Sequence, residues 1–578
     1  MKIVIDFETT DWGIQDGIGS GWAFGAVQVL GCGIKVEDGP TEYVTDLAKV
    51  VDVCSQADTI IAHNAQYEAG ILCFLGVDIS RKQFFCTKIG AKLEDNDLFD
   101  YSLDTLAITR YNEGKETNRL IEVGAQIGLY TLPENYLEDG KKMNTLRNKC
   151  KKIAMHNLDA IQEASPVVAE YCIQDVDLTA RLHADLLKTV GEAVYAHYCK
   201  LINVVTAMRA KGIRVDIKKT YEVRSELKKA LRSAERDLWC LYGHFNYNSP
   251  VQVKKWAKEH LQLSGIKDDE GKESFGKEFI EKNEDVLGVR LLGECKKLSK
   301  LESFCKTVIE HEKNGRVHPE LNIMQARTGR FSCTSPNVQQ IPGRDKIWAP
   351  KLRSLFLPEE GEEWYSLDFS SQEPRLQVHY AEAIGSVSGK ELAQTYRLDP
   401  RNDIYTTVCE EVKRLSGVEM TRSQSKVMTL ALSYGMGADK GAKALGVSVR
   451  EYNKIKKAYF QGASYLKELN QYCQNKMTER GYIFTLGRRK IQTTPGKEYK
   501  ALNGLIQGSA FDQTAEALIQ AYDAGLLPLT TIHDEIALSS GDIKEAEKLQ
   551  EIMQTCMKLS VPSVADINKG PNWGEAKG

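Results

Sequence analysis

The chain has 578 residues, 42% hydrophobic and 27% charged, with a formal net charge of −3. That length exceeds one hydrophobic core and predicts three or four domains or subdomains of a soluble globular protein. No apolar run approaches the roughly 20 residues of a membrane span, and the opening MKIVIDFETT runs directly into a strand rather than a signal peptide, which predicts a cytosolic protein. The 14 cysteines are scattered without a C-x-x-C pair, and the 10 histidines show no ligand spacing beside them. That pattern argues against a structural zinc and for reduced, mostly buried thiols. The small net charge neither indicates nor excludes a nucleic-acid partner, because clustered carboxylates hide a local basic groove in the total.

Residues 1–110 alternate strand-like runs (3–7, 26–34 and 59–62) with helical stretches, an α/β pattern. Asp6 and Glu8 lie two apart in the first run, so they share one face of a strand. Two such carboxylates repel, and one holds a proton unless a cation binds there. The segment HNAQYE, with Asn64 and Glu68, follows the third run. Residues 111–165 are polar and hard to place. Residues 166–190 read as an amphipathic helix in which Tyr171 and Asp175, four apart, share a face. From 192 to about 313 the pattern is helical and lysine-rich. Most of those lysines read as solvated faces, and the stripe also suits a lever lying along a phosphate backbone. Residues 263–278 (LSGIKDDEGKESFGKE) read as a flexible loop; no large insertion for a clamp-like partner is evident, although 262–278 could bind something. Strand-like runs return at EEWYSLDFS and PLTTIHDEIALSS, with a long helical region over 401–480 between them.

Asp368 ends the first of these strands, and Asp534 sits at the bend of a hairpin, so adjacent strands can bring the two carboxylates to one point. Arg422, Lys426, Leu430 and Tyr434 are each four apart and form one helical stripe, two cations followed by two packing residues. Such a stripe suits a nucleotide, with phosphates at one end and sugar and base at the other. An isolated turn aspartate or a surface Arg/Lys pair would mean little alone.

In order and spacing, Asp6-x-Glu8, Asn64–Glu68 and Tyr171–Asp175 resemble the three motifs of the DEDDy 3′→5′ exonucleases. That resemblance implies that Asp6, Glu8, Glu68 and Asp175 hold metal ions, that Tyr171 positions the attacking water, and that Asn64 touches DNA. The family usually has aspartate where this chain has Glu68. Downstream, the T-G-R around Arg330, LDFSSQEPR, RSQSKVMTLALSYG and TIHDEIAL resemble the collinear motifs of family A DNA polymerases over most of residues 320–578. By that resemblance Asp368 and Asp534, with Glu535 beside them, are catalytic, and the two aspartates bind metal. Arg422 and Lys426 grip the triphosphate, and Leu430, Tyr434 and Tyr405 line the nucleotide. Glu373 is the gate against a ribose 2′-hydroxyl. Arg330, Asn503, Gln507 and His533 lie on DNA near the primer end. Leu430 stands where the family usually has an aromatic residue, and Tyr405 where it usually has histidine.

The implied architecture is an α/β and α+β multidomain chain, an RNase H-like exonuclease domain followed by a right-hand polymerase. Its expected boundaries are 1–190 (exonuclease), 191–345 (thumb and connection), 346–400 (palm), 401–480 (fingers) and 481–578 (palm). The implied cofactor is Mg2+, two per active site, with Mn2+ able to substitute. The implied partners are primer-template DNA and dNTPs, for a monomer without membrane attachment. A start directly at the exonuclease, with no 5′-nuclease domain, points to a phage replicative enzyme in the host cytoplasm; helicase, single-strand-binding or processivity partners are not identifiable from sequence. Two rivals remain open at this point, a single-subunit RNA polymerase-like enzyme and a catalytically reduced DNA-binding relic. Glu373 and the His-Asp-Glu triplet weigh against the first, and the retained carboxylates against the second.

Overall fold

The run KIVIDFETTD is rich in the β-branched residues that suit a pleated strand. In the computed structural model, which describes residues 1–138, 140–267, 271–343, 345–433 and 436–577, it forms the strand Lys2–Asp11. This strand is third of five, in the order Thr41–Val44, Val27–Val36, Lys2–Asp11, Thr59–Ala62, Gln83–Cys86. The first three pair antiparallel and the last three parallel. Ile3, Ile5, Ile60 and Phe84 are fully buried in its core. The helix Val167–Val190 packs across the sheet at Gly33, where an added Cβ would lie 2.8 Å from Val176 and 2.9 Å from Cys172. That close approach sets the Tyr171–Asp175 face of the helix over the strand carrying Asp6 and Glu8.

Contact density divides the chain into two units, residues 1–212, 319–339 and 365–568 in one, and 213–318, 340–364 and 569–578 in the other. Besides the five-stranded sheet, the first unit holds most of a four-stranded sheet in the order Thr530–Ile532, Glu535–Ser540, Glu363–Phe369, Ala565–Gly570. The helices Gln372–Ala383 and Ala501–Asp523 pack on each other beside it. A helical cluster follows, including Ile404–Ser416, Arg422–Ser433 and Val449–Gly462, around a core of Val408, Val412, Met428, Tyr452 and Tyr459. In the second unit, the long helices Ile217–Tyr242 and Leu287–His311 pack lengthwise. Thr220, Val223, Leu227, Ala234 and Leu238 form the buried stripe of the first of them, and Lys228 and Lys229 stay exposed, as solvated lysine faces require.

Two expectations change. The polar stretch 111–165 contains three helices, Thr117–Gln126, Lys141–His156 and Leu158–Ala164. The first is amphipathic, with Leu120, Ile121 and Gly124 buried on one face, whereas the other two bury Cys150 and Ala154, and Leu158 and Ile161. The expected loop 263–278 carries a short antiparallel pairing of Ile266–Lys267 with Glu273–Ser274 and the start of the helix Lys277–Lys282, anchored by the buried Phe275. All 14 cysteines are free and most are buried. No helix among the described residues is long and apolar enough to cross a membrane.

Candidate active sites

The first site lies on the five-stranded sheet. Asp6 and Glu8 point to the face covered by the helix Val167–Val190, and their ligand atoms lie within 4.8 Å of each other and of Cys172 Sγ. The Cys172 thiol donates to the Asp6 carbonyl (3.3 Å), and burial together with Glu8 and Asp6 pushes its pKa well up, so it remains a protonated donor. Glu68, in the first turn of the helix Gln66–Phe74, and Asp175 are both buried. Glu68 Oε2 and Asp175 Oδ1 are buried oxygens without a hydrogen-bond partner. Burial raises the pKa of Asp6 to about 7, with Asp175 adding and Lys115 opposing. Burial likewise raises Glu8 and Glu68 well above the ordinary glutamate value, each also pushed by the Asp6 charge. Four carboxylates so placed either hold protons or hold cations, and the two orphaned oxygens supply the hard donors that a divalent ion takes.

Lys115 completes this site and escaped the sequence reading. Its ammonium pairs with Asp175 and donates to the Tyr171 hydroxyl (2.7 Å). Burial opposes the ammonium, but Asp175, Tyr171 and Asp6 outweigh that and raise its pKa, so it stays charged. An isolated lysine in the polar stretch YNEGKET carries no local signal of this contact. Asn64 is exposed, in the left-handed region (φ 64°), and accepts a hydrogen bond from Lys88 Nζ (3.3 Å).

The second site lies on the four-stranded sheet. The strands Glu535–Ser540 and Glu363–Phe369 are neighbours, and the Phe369 N–H donates to the Asp534 carbonyl (3.1 Å), which sets Asp368 beside the His533–Asp534 turn. The turn is tight because Ile532 pairs directly with Glu535 and His533 takes a left-handed conformation (φ 59°). Asp368 and Asp534 are half-buried, Glu535 is buried and His533 is exposed. Glu373, in the first turn of the helix Gln372–Ala383, accepts from Arg330 Nη2 (2.6 Å). That contact joins the T-G-R segment to the residue expected to gate the sugar.

Arg422 and Lys426 are exposed, whereas Ser425, Met428 and Thr429 on the opposite side of their helix are buried; Leu430 is half-buried. Tyr405 is buried beneath the two cations, its ring centroid 5.5 Å from the Arg422 guanidinium and 5.9 Å from Lys426 Nζ. Burial, then Glu373 and Asp403, push the Tyr405 phenol up to about 12. Asp403, also missed from sequence, caps the helix Ile404–Ser416 and accepts two hydrogen bonds from Arg422 (2.7 and 3.1 Å). Gln377 donates to Ser433 Oγ (2.8 Å), tying the Glu373 helix to the end of the Arg422 helix. Tyr434 lies outside the described residues. Between Ala501 and Ala515 every residue is buried except Asn503 and Gln507, four apart on one face, and Asn503 Oδ1 has no hydrogen-bond partner.

The profile described as DNA polymerase family A matches residues 217–575, more than half of the chain. Over its whole length the chain is 27% identical to the DNA-directed DNA polymerase of Pseudomonas phage M6, covering 94% of that protein. It is 28% identical to the DNA polymerase DpoZ of Vibrio phage phiVC8, over 90% of this chain and 87% of that one. It is also 28% identical to DNA polymerase I of Geobacillus stearothermophilus over 65% of this chain, but spans only 45% of that longer protein. In fold it is similar to the POL domain of Pol1 from M. smegmatis in complex with DNA primer-template and dNTP, with a TM-score of 0.78, 20% identity, and coverage of 100% of this chain and 96% of that one. Two aspartates from adjacent strands, a cationic helix stripe and this match lead to one assignment: the chain belongs to DNA polymerase family A and is a DNA-directed DNA polymerase.

Proposed function

We propose that this polymerase extends a primer with dNTPs at Asp368 and Asp534 and proofreads by 3′→5′ hydrolysis at Asp6, Glu8, Glu68 and Asp175. The observation that carries the second activity is the pair Asp6 and Glu8, whose ligand atoms lie within 4.8 Å of each other, with the buried Asp175 and Glu68 near enough to act on the Asp6 charge and each bearing an orphaned buried oxygen. The strand order of that sheet, with three antiparallel and then two parallel members, supports an RNase H-like exonuclease domain over 1–190. The remaining divisions are thumb and connection at 191–345, palm at 346–400 and 481–578, and fingers at 401–480.

Mg2+ ions, two at each site and replaceable by Mn2+, fit these all-oxygen donor sets; when bound, they stabilise the charge that develops at phosphorus and on the attacking oxygen. In the exonuclease, Asp6, Glu8, Glu68 and Asp175 hold them. Lys115 orients the Tyr171 hydroxyl and Asp175 together, and Tyr171 directs water to the scissile phosphate. Glu68 reaches from a first helical turn, where its longer arm serves as a ligand as aspartate would. In the polymerase, Asp368 and Asp534 hold the metals with Glu535 behind them. Arg422 and Lys426 take the triphosphate, their charges braced by the Tyr405 ring. Leu430 and Tyr434 line the nucleotide, and Glu373 fills the space of a 2′-hydroxyl. Arg330, Asn503, Gln507 and His533 face the primer terminus, where purine N3 and pyrimidine O2 offer acceptors common to every base pair.

The partners are primer-template DNA and dNTPs, and the setting is phage DNA replication by a monomer in the host cytoplasm; the phage relatives support this. A 5′-labelled primer-template, incubated with and without dNTPs, tests the whole reading. Lengthening with dNTPs and shortening without them, both stopped by EDTA, is the expected result. Wild-type protein that extends but never shortens the primer overturns the exonuclease assignment.

A further inference from the structure

A groove of about 400 Å³ runs between the stretch 88–102 and residues 324–329, with Lys88, Lys92, Phe99, Tyr101 and Gly329 in its walls. A second, smaller cleft shares Lys88 and Lys92 with it and ends at Asn64 and Gln66. One end therefore adjoins Arg330, which is bonded to Glu373, and the other adjoins the helix that carries Glu68.

The chemistry of the walls is that of a single-strand track. Lys92 is only 9% exposed, and among the described residues no carboxylate pairs with it. Its ammonium donates to Gln325 Oε1 (3.2 Å) and lies 5.5 Å from the Tyr101 ring centroid. Burial and the nearby Lys88 pull its pKa down to about 8, a direction that an arriving phosphate reverses. A buried cation without an acid is costly unless an anion visits it. Lys88 lies beside it, bonded only to the neutral Asn64 amide (3.3 Å). The one carboxylate in the wall, Asp100, is engaged by Ser102 and Thr105 (2.8 and 2.6 Å). Phe99 is fully exposed at the same groove. An exposed phenyl ring beside unpaired ammonium groups is the combination on which unpaired bases stack while their phosphates are neutralised.

We propose that this groove is the path along which the unpaired 3′ segment of a primer passes from the polymerase site to the exonuclease site. Lys92 and Lys88 hold its phosphates, and Phe99 stacks on a base. This rests on the two-site reading given above. Lys92→Ala and Phe99→Ala test it through three single-turnover measurements: excision of a mispaired 3′ nucleotide from a primer-template, excision from a free trinucleotide, and extension of a fully paired primer. The expected result is mispair excision slowed on the order of tenfold, with trinucleotide excision and paired extension unchanged. Unchanged extension also shows that the variants are folded. Unaltered mispair excision overturns the proposal. So does an equal loss on the trinucleotide, which would make these residues part of the exonuclease site itself, and so does a selective loss of extension on long template overhangs, which would make the groove a template channel. Wild-type protein inert on the trinucleotide would instead remove the exonuclease reading, and this control separates that failure from failure of the path.

Discussion

Replacing Arg489 should destabilise the protein and disable extension together. Its guanidinium pairs with Asp512 Oδ1 at 2.6 Å, with side chains 4% and 0% exposed. It also donates to the carbonyls of Gly508 (2.8 Å) and Thr328 (3.1 Å) and lies over both the Tyr198 and Phe511 rings. Asp512 accepts from the Tyr198 hydroxyl and the Gly487 N–H, both at 2.8 Å. Arg489→Met keeps much of the stem but leaves a buried carboxylate without its cation, a change that costs about 3–5 kcal/mol. It also frees Thr328, two residues before Arg330. Gly329 packs so closely on Arg489 that an added Cβ would lie 2.4 Å from Nη1, so this side chain fixes the backbone of the T-G-R turn. Urea denaturation gives the stability change, and extension of a paired primer gives the functional one. The double variant Arg489→Met/Asp512→Leu should recover part of the stability, because removing both charges is milder than stranding one, while extension stays impaired. A single variant within about 1 kcal/mol of wild type, below the cost of a stranded buried charge, would refute the reasoning, as would normal extension.

The remaining predictions follow from the two sites. Asp368→Asn or Asp534→Asn should abolish extension and spare single-strand degradation, and Asp6→Ala with Glu8→Ala should do the reverse; a folded variant that loses both activities would contradict two sites. Glu373→Ala should admit ribonucleotides and release Arg330 from its 2.6 Å bond, read as a fall in the dNTP-to-rNTP efficiency ratio; an unchanged ratio places the gate elsewhere. Leu430→Tyr, but not Leu430→Phe, should relax discrimination against dideoxynucleotides, since a hydroxyl can satisfy a group whose lost partner costs about 1–3 kcal/mol; equal tolerance in wild type and Leu430→Tyr moves Leu430 away from the sugar. The raised carboxylates of the first site predict a pH signature. Asp6 at about 7, above its ordinary 3.8, binds its proton more tightly folded than unfolded. Metal-free stability should therefore fall as pH rises from about 4 to about 7, because the native state binds more protons there. Added Mg2+ should raise the melting temperature more at pH 8 than at pH 5, and the Asp6→Ala/Glu8→Ala variant should lose that difference; a pH-independent Mg2+ effect would refute it.

The parts of these sites that are legible in the sequence are those set by local period. Asp6 and Glu8 share a strand face because side chains alternate. Tyr171 and Asp175, like Arg422, Lys426 and Leu430, share helix faces because four residues make about one turn. The pairing that sets Asp368 beside Asp534 was inferable from two strands ending at aspartates, although 166 residues of sequence separate them. Partners chosen in three dimensions were not legible. Lys115 reaches Tyr171 from 56 residues away, and Arg330 finds Glu373 across 43. Asp403 carried a detectable signal, since an aspartate before a helix is a cap, but nothing local says that it also holds Arg422. The helices within 117–164 were harder to place: Leu120, Ile121 and Gly124 do fall at helical spacing in the first, but the second buries only Cys150 and Ala154 among many lysines.

Residues 319–339 join the surroundings of the two candidate sites. The segment begins beside the first candidate site: Glu320 accepts from Ser20 and from the buried Arg209, and the Leu321 carbonyl accepts from Gln66, two residues before Glu68. It passes Lys92 at Gln325 and is clamped by Arg489 at Thr328. It then presents Arg330 to Glu373 and finally accepts no further freedom at Gln339, whose amide donates to the Thr531 carbonyl beside the His533–Asp534 turn (3.0 Å). One short stretch is thus bonded beside Glu68 in the first candidate site and to Glu373 and the strand leading into the His533–Asp534 turn in the second.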